Sequence, residues 1–294
     1  MNDASLPMLE HFDSFRKHYY ARLQTDVPGF ALAAVPIRNF LKKIVAQGGF
    51  YIRVRSEYIP AIVASGRFKG CLETDHSTLN GGSRIRKESC QALFGCDPAR
   101  LKPDDFPKYG YLSCADTLTN LLVTDEMAYQ YGGAVIRLKK DRFMHRTTMT
   151  VGDSVNFGRS FGMVPDRVDD ILPVGVFGLK NSMERRMLFQ PRNPAMCWHY
   201  LASKIADGTL NTDNFFRLDE IMGGEIPMFE FFELQFHGPI SIAEDVERID
   251  VFDYREQVES PELQEAGKKL EALGIPFTAS ADFEAAYEAF QVRK

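Results

Sequence analysis

At 294 residues, with 45% hydrophobic and 26% charged side chains, the chain carries enough apolar material for a sizeable core and too little charge for a disordered one. The net charge is −5 with no long lysine or arginine run, which argues against a nucleic-acid sheath, whose phosphate contacts need clustered cations. No apolar run approaches the ~20 residues that span a bilayer, and five irregularly spaced cysteines, with no CxxC pair, suit reduced thiols better than a disulfide framework.

Residues 5–47 read as two helices. The acidic residues and early Pro7 do not suit a cleavable signal peptide. After the break at Val27-Pro28-Gly29, Pro36 starts the second helix. Its Ile37, Phe40, Leu41, Ile44 and Val45 follow the i, i+3, i+4 rule until Gly48-Gly49 ends it. The next six residues, 50–55, alternate as a strand with Tyr51, Arg53 and Arg55 on one face. Ser56 is then placed to cap a helix over 57–65, which Gly66 closes. The stretch Glu73-Thr-Asp-His-Ser-Thr-Leu-Asn-Gly-Gly-Ser83 favours turns. A short helix follows near Arg86, and a proline-bearing loop leads to Pro107.

Strands dominate from there. They are expected at Tyr109-Gly-Tyr-Leu-Ser-Cys114, Ala134-Val-Ile-Arg-Leu138 and Arg146-Thr-Thr-Met-Thr150, with a helix over 125–131 between the first two and a turn at Gly152-Asp153-Ser154. Residues 195–206 read as a helix. Residues 228–237 read as a strand whose Phe232, Leu234 and Phe236 enter a core, leaving Glu233, Gln235 and His237 on the other face, as for a strand lining a cleft. A last helix has Ser260 as its cap, Pro261 at its first position and Gly274 beyond its end. The tail, 281–290, alternates Glu with Ala and aromatics.

Several side chains suit chemistry. Glu233 is able to stabilise a developing cation or act as a base, and equally to sit in a salt bridge on an edge strand. Arg53 and Arg55 are suited to a bidentate grip on phosphate, or to surface ion pairing. The glycine-rich 73–83 segment is a phosphate cradle or a plain loop; it lacks both GxxxxGK[ST] and GxGxxG. His76, His145, His199 and His237 show no metal-ligand spacing, so no metal is expected. Ser154 lacks the GxSxG elbow of a serine hydrolase.

In chain order, five segments resemble the ADP-ribosyltransferase superfamily: Glu73-Thr-Asp-His-Ser-Thr-Leu-Asn-Gly-Gly, Pro107-Lys-Tyr-Gly-Tyr-Leu, Tyr131-Gly-Gly-Ala-Val-Ile-Arg-Leu, Arg146-Thr-Thr-Met-Thr-Val-Gly-Asp-Ser and Glu233-Leu-Gln-Phe-His-Gly-Pro-Ile-Ser. The set is similar to a bacterial family of that clan that includes secreted effector mono-ADP-ribosyltransferases. The resemblance covers roughly residues 50–250. It implies an α+β fold, a split β-sandwich with an N-terminal helical layer and C-terminal helices. On this division 1–49 is a helical extension, 50–254 the catalytic domain and 255–294 a helical tail.

The resemblance also implies NAD as substrate. Its strand arginine falls on Arg53 or Arg55, and its second strand on Tyr109, Gly110 and Ser113. The late carboxylate falls on Glu233, with Tyr131, Gln235 and His237 also placed toward NAD. Cys114-Ala115 stands where Thr-Ser is usual, and Glu-Leu-Gln replaces the common Glu/Gln-x-Glu, so Glu230 competes with Glu233 for the catalytic role. The activity implied is mono-ADP-ribosyl transfer to a protein side chain, arginine by resemblance, with no nucleic-acid or membrane partner. An NAD glycohydrolase, a nucleic-acid ADP-ribosyltransferase and a non-catalytic partner-binding domain are the alternatives. Export from a bacterial cytoplasm into a host by a type IV-like route is the expected localisation.

Overall fold

The structure is a computed structural model that describes residues 30–74, 86–87, 90, 97–113, 131–151, 160–162, 172–174, 194–215, 221, 231–253 and 255–281. The expected helix before residue 29, the glycine-rich loop beyond Thr74, residues 114–130, the 152–154 turn, Glu230 and the tail from 282 lie outside the described residues.

Four longer helices and eleven strands are described, in the order α1 (Phe30–Gln47), β1 (Gly49–Val54), α2 (Ile59–Ser65), β2 (Arg67–Phe68), β3 (Lys108–Ser113), β4 (Ala134–Leu138), β5 (Thr147–Val151), β6 (Ser160–Gly162), β7 (Leu172–Val174), α3 (Pro194–Ala206), β8 (Phe232–Phe236), β9 (Ile240–Ser241), β10 (Val246–Phe252), α4 (Pro261–Ala272) and β11 (Phe277–Ser280). The class is α+β, as expected. The chain divides into two compact units, each built from separated segments: 1–47, 70–109 and 144–238 form the first, and 48–69, 110–143 and 239–294 the second.

In the first unit β5 pairs antiparallel with β8, with Thr148 opposite Gln235 and Thr150 opposite Glu233. The core beside this pair is aromatic. Phe232 lies 6.2 Å from Phe40 of α1 and 6.3 Å from Phe215, ring centroid to centroid. Ile37, Leu41, Ile44 and Val45 are buried beside Phe40 on α1, the face that the helical periodicity predicts. That helix does not begin at Pro36, however: it is already formed from Phe30, and Pro36 stands inside it. A proline in the first two turns removes few helical hydrogen bonds, and the buried stripe on the following turns outweighs that loss.

In the second unit the strand order is β11-β10-β4-β1-β3, antiparallel except for the parallel β10–β11 edge. Tyr51 and Tyr111, opposite each other in β1 and β3, stack with centroids 5.7 Å apart. The helix α4 packs on α2. Ser260 caps α4, accepting from the Leu263 amide, and Gly274 follows its end with φ 72°, both as the sequence indicates. Gly66 likewise closes α2 in the left-handed region.

Ser56, expected as the cap of α2, does something else. Residues Ser56–Tyr58 form a 3-10 turn with no side-chain cap. The Ser56 hydroxyl instead contacts the Asp253 carboxylate and the Gln257 side-chain oxygen. One hydroxyl proton serves one acceptor. The carboxylate is the stronger acceptor, so the Gln257 amide is better assigned with its NH2 toward Ser56. A tertiary tie between distant segments thus displaces a local cap.

Candidate active site

The polar face of β8 is enclosed. Glu233, Gln235 and His237 retain 4%, 0% and 1% of their accessible surface, while Phe232, Leu234 and Phe236 on the other face are completely buried. Period two therefore sorts the side chains as expected, but both faces are covered. A row of buried polar groups has to satisfy itself with hydrogen bonds. Much of that is done through β5. The Gln235 amide donates to Glu233 Oε1 at 2.6 Å. Gln235 Oε1 accepts from the Thr148 hydroxyl at 2.8 Å, and Thr148 Oγ1 lies 3.0 Å from His237 Nε2. Cross-strand pairing of Thr148 with Gln235 places the hydroxyl between the two β8 side chains.

The strand end is held as well. The His237 amide donates to the Arg146 carbonyl at 2.9 Å, and Arg146 Nη1 donates to the His237 carbonyl at 3.2 Å. Burial drives the His237 imidazole from its ordinary value to about 3, helped by the positive charges of Lys108 and Arg146. The ring is therefore neutral at physiological pH. Lys108 itself is buried at 1% exposure, donating to the Asp104 and Gly238 carbonyls at 2.9 and 3.2 Å, with Glu73 Oε2 at 3.9 Å. Glu73 also accepts from the Gly70 amide at 2.8 Å.

Tyr109, the second residue of β3, belongs to the same unit as Glu233. The residue is half-buried, and loss of solvent around the side chain drives the phenol well above its usual value. The nearby Cys90 adds to that rise, Arg86 opposes it, and the Glu233 charge adds to it again. The Tyr109 hydroxyl is 3.5 Å from Cys90 Sγ, and the Arg86 guanidinium lies over the ring, 4.0 Å from its centroid. That is a cation–π contact, worth about 0.5–2 kcal/mol. Burial also raises the Cys71 thiol, against the lowering influence of Arg86 and Lys108, so Cys71 is a weak nucleophile at neutral pH.

The first unit thus brings together Tyr109, Glu233, Gln235 and His237 of the residues singled out in the sequence. Of the other residues that the resemblance places toward NAD, Arg53, Arg55, Gly110, Ser113 and Tyr131 belong to the second unit. Arg53, at 8% exposure, donates its Nε proton to the Gly132 carbonyl. Arg55 is exposed, with Glu57 at 3.7 Å. Tyr131 is half-buried immediately before Gly132, and Gly110 is buried in β3. Ser113 stands opposite Gly49, 2% exposed, its hydroxyl without a hydrogen-bond partner among the described residues.

Sequence reasoning missed Arg86, Lys108 and Thr148. For Thr148 a signal existed: the alternation in Arg146-Thr-Thr-Met-Thr150 places Thr148 and Thr150 on one face, ready to meet the polar face of a partner strand. Arg86 and Lys108 carry no such mark, because the Tyr109 ring and the Gly238 carbonyl that they meet are not signalled by any local pattern. Among the described residues no group of three or more His, Cys, Asp or Glu side chains is placed to hold a metal, and no helix is long and apolar enough to cross a membrane.

No protein-family model matches the chain, and no curated protein matches it. Among solved structures it is similar to DarT of Thermus sp. 2.9 in three complexes. With ADP-ribosylated ssDNA the identity is 11% and the TM-score 0.37, over 80% of this chain and 94% of that one. With NAD+ the values are 10% and 0.36, over 80% and 96%. With carba-NAD+ they are 9% and 0.36, over the same shares. At that level the likeness is a coarse one.

Proposed function

We propose that the protein transfers ADP-ribose from NAD to an acceptor, with Glu233 as the carboxylate at the reacting carbon. The observation that carries this reading is the placement of Glu233: an enclosed carboxylate at the head of a row of hydrogen-bond donors, in the electrostatic reach of Tyr109. The resemblance in the sequence supplies the substrate. Cleaving the nicotinamide–ribose bond sends its electron pair to the ring nitrogen, which leaves neutral, and positive charge develops on the ribose. A fixed carboxylate in a water-poor setting stabilises that charge without reorganising. The half-buried Tyr109 ring is suited to stacking, and the Arg86 guanidinium that lies over it is suited to a diphosphate.

The acceptor atom then forms the new bond to the ribose carbon and loses a proton. The acceptor favoured by the sequence is a protein side chain, arginine by resemblance, and export as a bacterial effector belongs to the same reading. Labelled NAD offered with protein extract, RNA and single-stranded DNA tests it. Label on a discrete protein band supports the protein acceptor. Label on DNA or RNA moves the acceptor to nucleic acid and keeps the transferase. Free ADP-ribose alone makes water the acceptor and the protein a glycohydrolase. Intact NAD in every arm would overturn the enzyme.

A further inference from the structure

We infer that Thr148 and His237 are positioning residues for Glu233, acting through Gln235 as a one-way hydrogen-bonded file; this rests on the reading of Glu233 just given. The direction of the file follows from proton counting. A carboxylate only accepts, so the Gln235 amide must turn its NH2 to Glu233, where the separation is 2.6 Å. Its oxygen then faces Thr148 at 2.8 Å and must accept. Thr148 has one hydroxyl proton, and Gln235 takes it. The remaining contact, 3.0 Å from Thr148 Oγ1 to His237 Nε2, is attractive only if the imidazole donates. His237 is therefore the Nε2–H tautomer, and every donor in the file points toward Glu233.

The file removes an ambiguity that β8 cannot remove alone. A glutamine amide flips about its last torsion at little cost unless both ends are engaged. Flipped, its oxygen would face the Glu233 oxygen, two acceptors in contact with no proton between them. Thr148 forbids the flip by requiring an acceptor, and His237 forbids the Thr148 hydroxyl from turning away. The Gln235 N–H so held favours the charged form of Glu233. The charged and titratable groups that bear on this file include Tyr109 on Glu233, and Lys108 and Arg146 on His237; Arg86 and Cys90 bear in turn on Tyr109.

The test reads the site with and without turnover. On the full chain, carboxyl carbon NMR with labelled glutamate, Glu233 being assigned through Glu233→Gln, should show its titration midpoint raised in Thr148→Val and largely restored in Thr148→Ser. Imidazole nitrogen shifts of the wild type should show the Nε2–H tautomer at His237. In steady state, Thr148→Val should lose kcat by about 10-fold or more with KM for NAD little changed, because the carboxylate is misplaced while the binding contacts remain. His237→Gln, whose amide N–H is able to reach Thr148, should retain more activity than His237→Phe. An Nδ1–H tautomer in the wild type would overturn the file even if Thr148→Val did not fold. A folded Thr148→Val with an unchanged Glu233 titration would overturn it too. Failure of the transferase reading looks different: the NMR results would stand while no variant, and not the wild type, consumes NAD.

Discussion

The ammonium of Lys108 donates to the carbonyl of Gly238, 130 residues away, at 3.2 Å, with both groups buried. That bond ties the start of β3 to the residue after His237, and Lys108 also holds the Asp104 carbonyl. A buried cation is retained only where it is thoroughly hydrogen-bonded. Lys108→Met should leave the Asp104 and Gly238 carbonyls without this donor and remove the cation beside Glu73. A loss of about 3 kcal/mol is expected, within the range for breaking one side of a buried ionic contact. Urea unfolding checks it; a variant of wild-type stability would show that water replaces the ammonium at no cost.

Gly132 has φ 110°, and a Cβ there would stand 2.3 Å from the Arg55 backbone. The same residue gives its carbonyl to Arg53. Gly132→Ala therefore meets both a strained backbone and a clash with main-chain atoms that have no rotamer to escape into. The expected cost is at least about 3 kcal/mol, which puts the variant among the exceptional single substitutions. Thermal unfolding measures it, and a melting temperature within error of the wild type would contradict the packing described at the β1–β4 end.

His237 makes the fold acid-sensitive. The unfolded imidazole titrates at its ordinary value of 6.5 and the folded one at about 3, so between these values the unfolded chain holds one more proton. Stability then rises with pH across that window and falls as the pH drops below about 6.5, by at most about 1.4 kcal/mol per unit from this residue. Denaturant unfolding from about pH 7 to about pH 5 should show a shallower decline in His237→Gln than in the wild type. Equal slopes would mean that the ring protonates in place.

Much of this architecture was legible in the residues, and the failures have physical causes. The stretch Ala134–Leu138 and the α4 signals, Ser260, Pro261 and Gly274, depend on neighbours along the chain, and both elements stand where the pattern puts them. β10 was not legible. A register shift between Val246 and Arg248 breaks its alternation, so Val246, Ile249 and Val251 are buried without a period of two. β11 is four residues of mixed character, visible only through its parallel partner. At the candidate site the sorting of β8 into two faces was legible, but the enclosure of its polar face was not. That depends on Thr148, which lies 87 residues from Gln235. Ser56 makes the same point from the second unit, where a contact across 197 residues overrides a local cap.

The most direct test of the central claim is nicotinamide release from NAD by the wild type and by Glu233→Gln, matched for folding by their urea midpoints. The substitution keeps the size of the side chain and an oxygen for the Gln235 amide, and removes only the charge. A loss of at least about 100-fold in kcat is predicted, the scale of a removed electrostatic contact to a developing charge. Release at the wild-type rate by a folded Glu233→Gln would contradict the account, since the cation would then be stabilised by some other group.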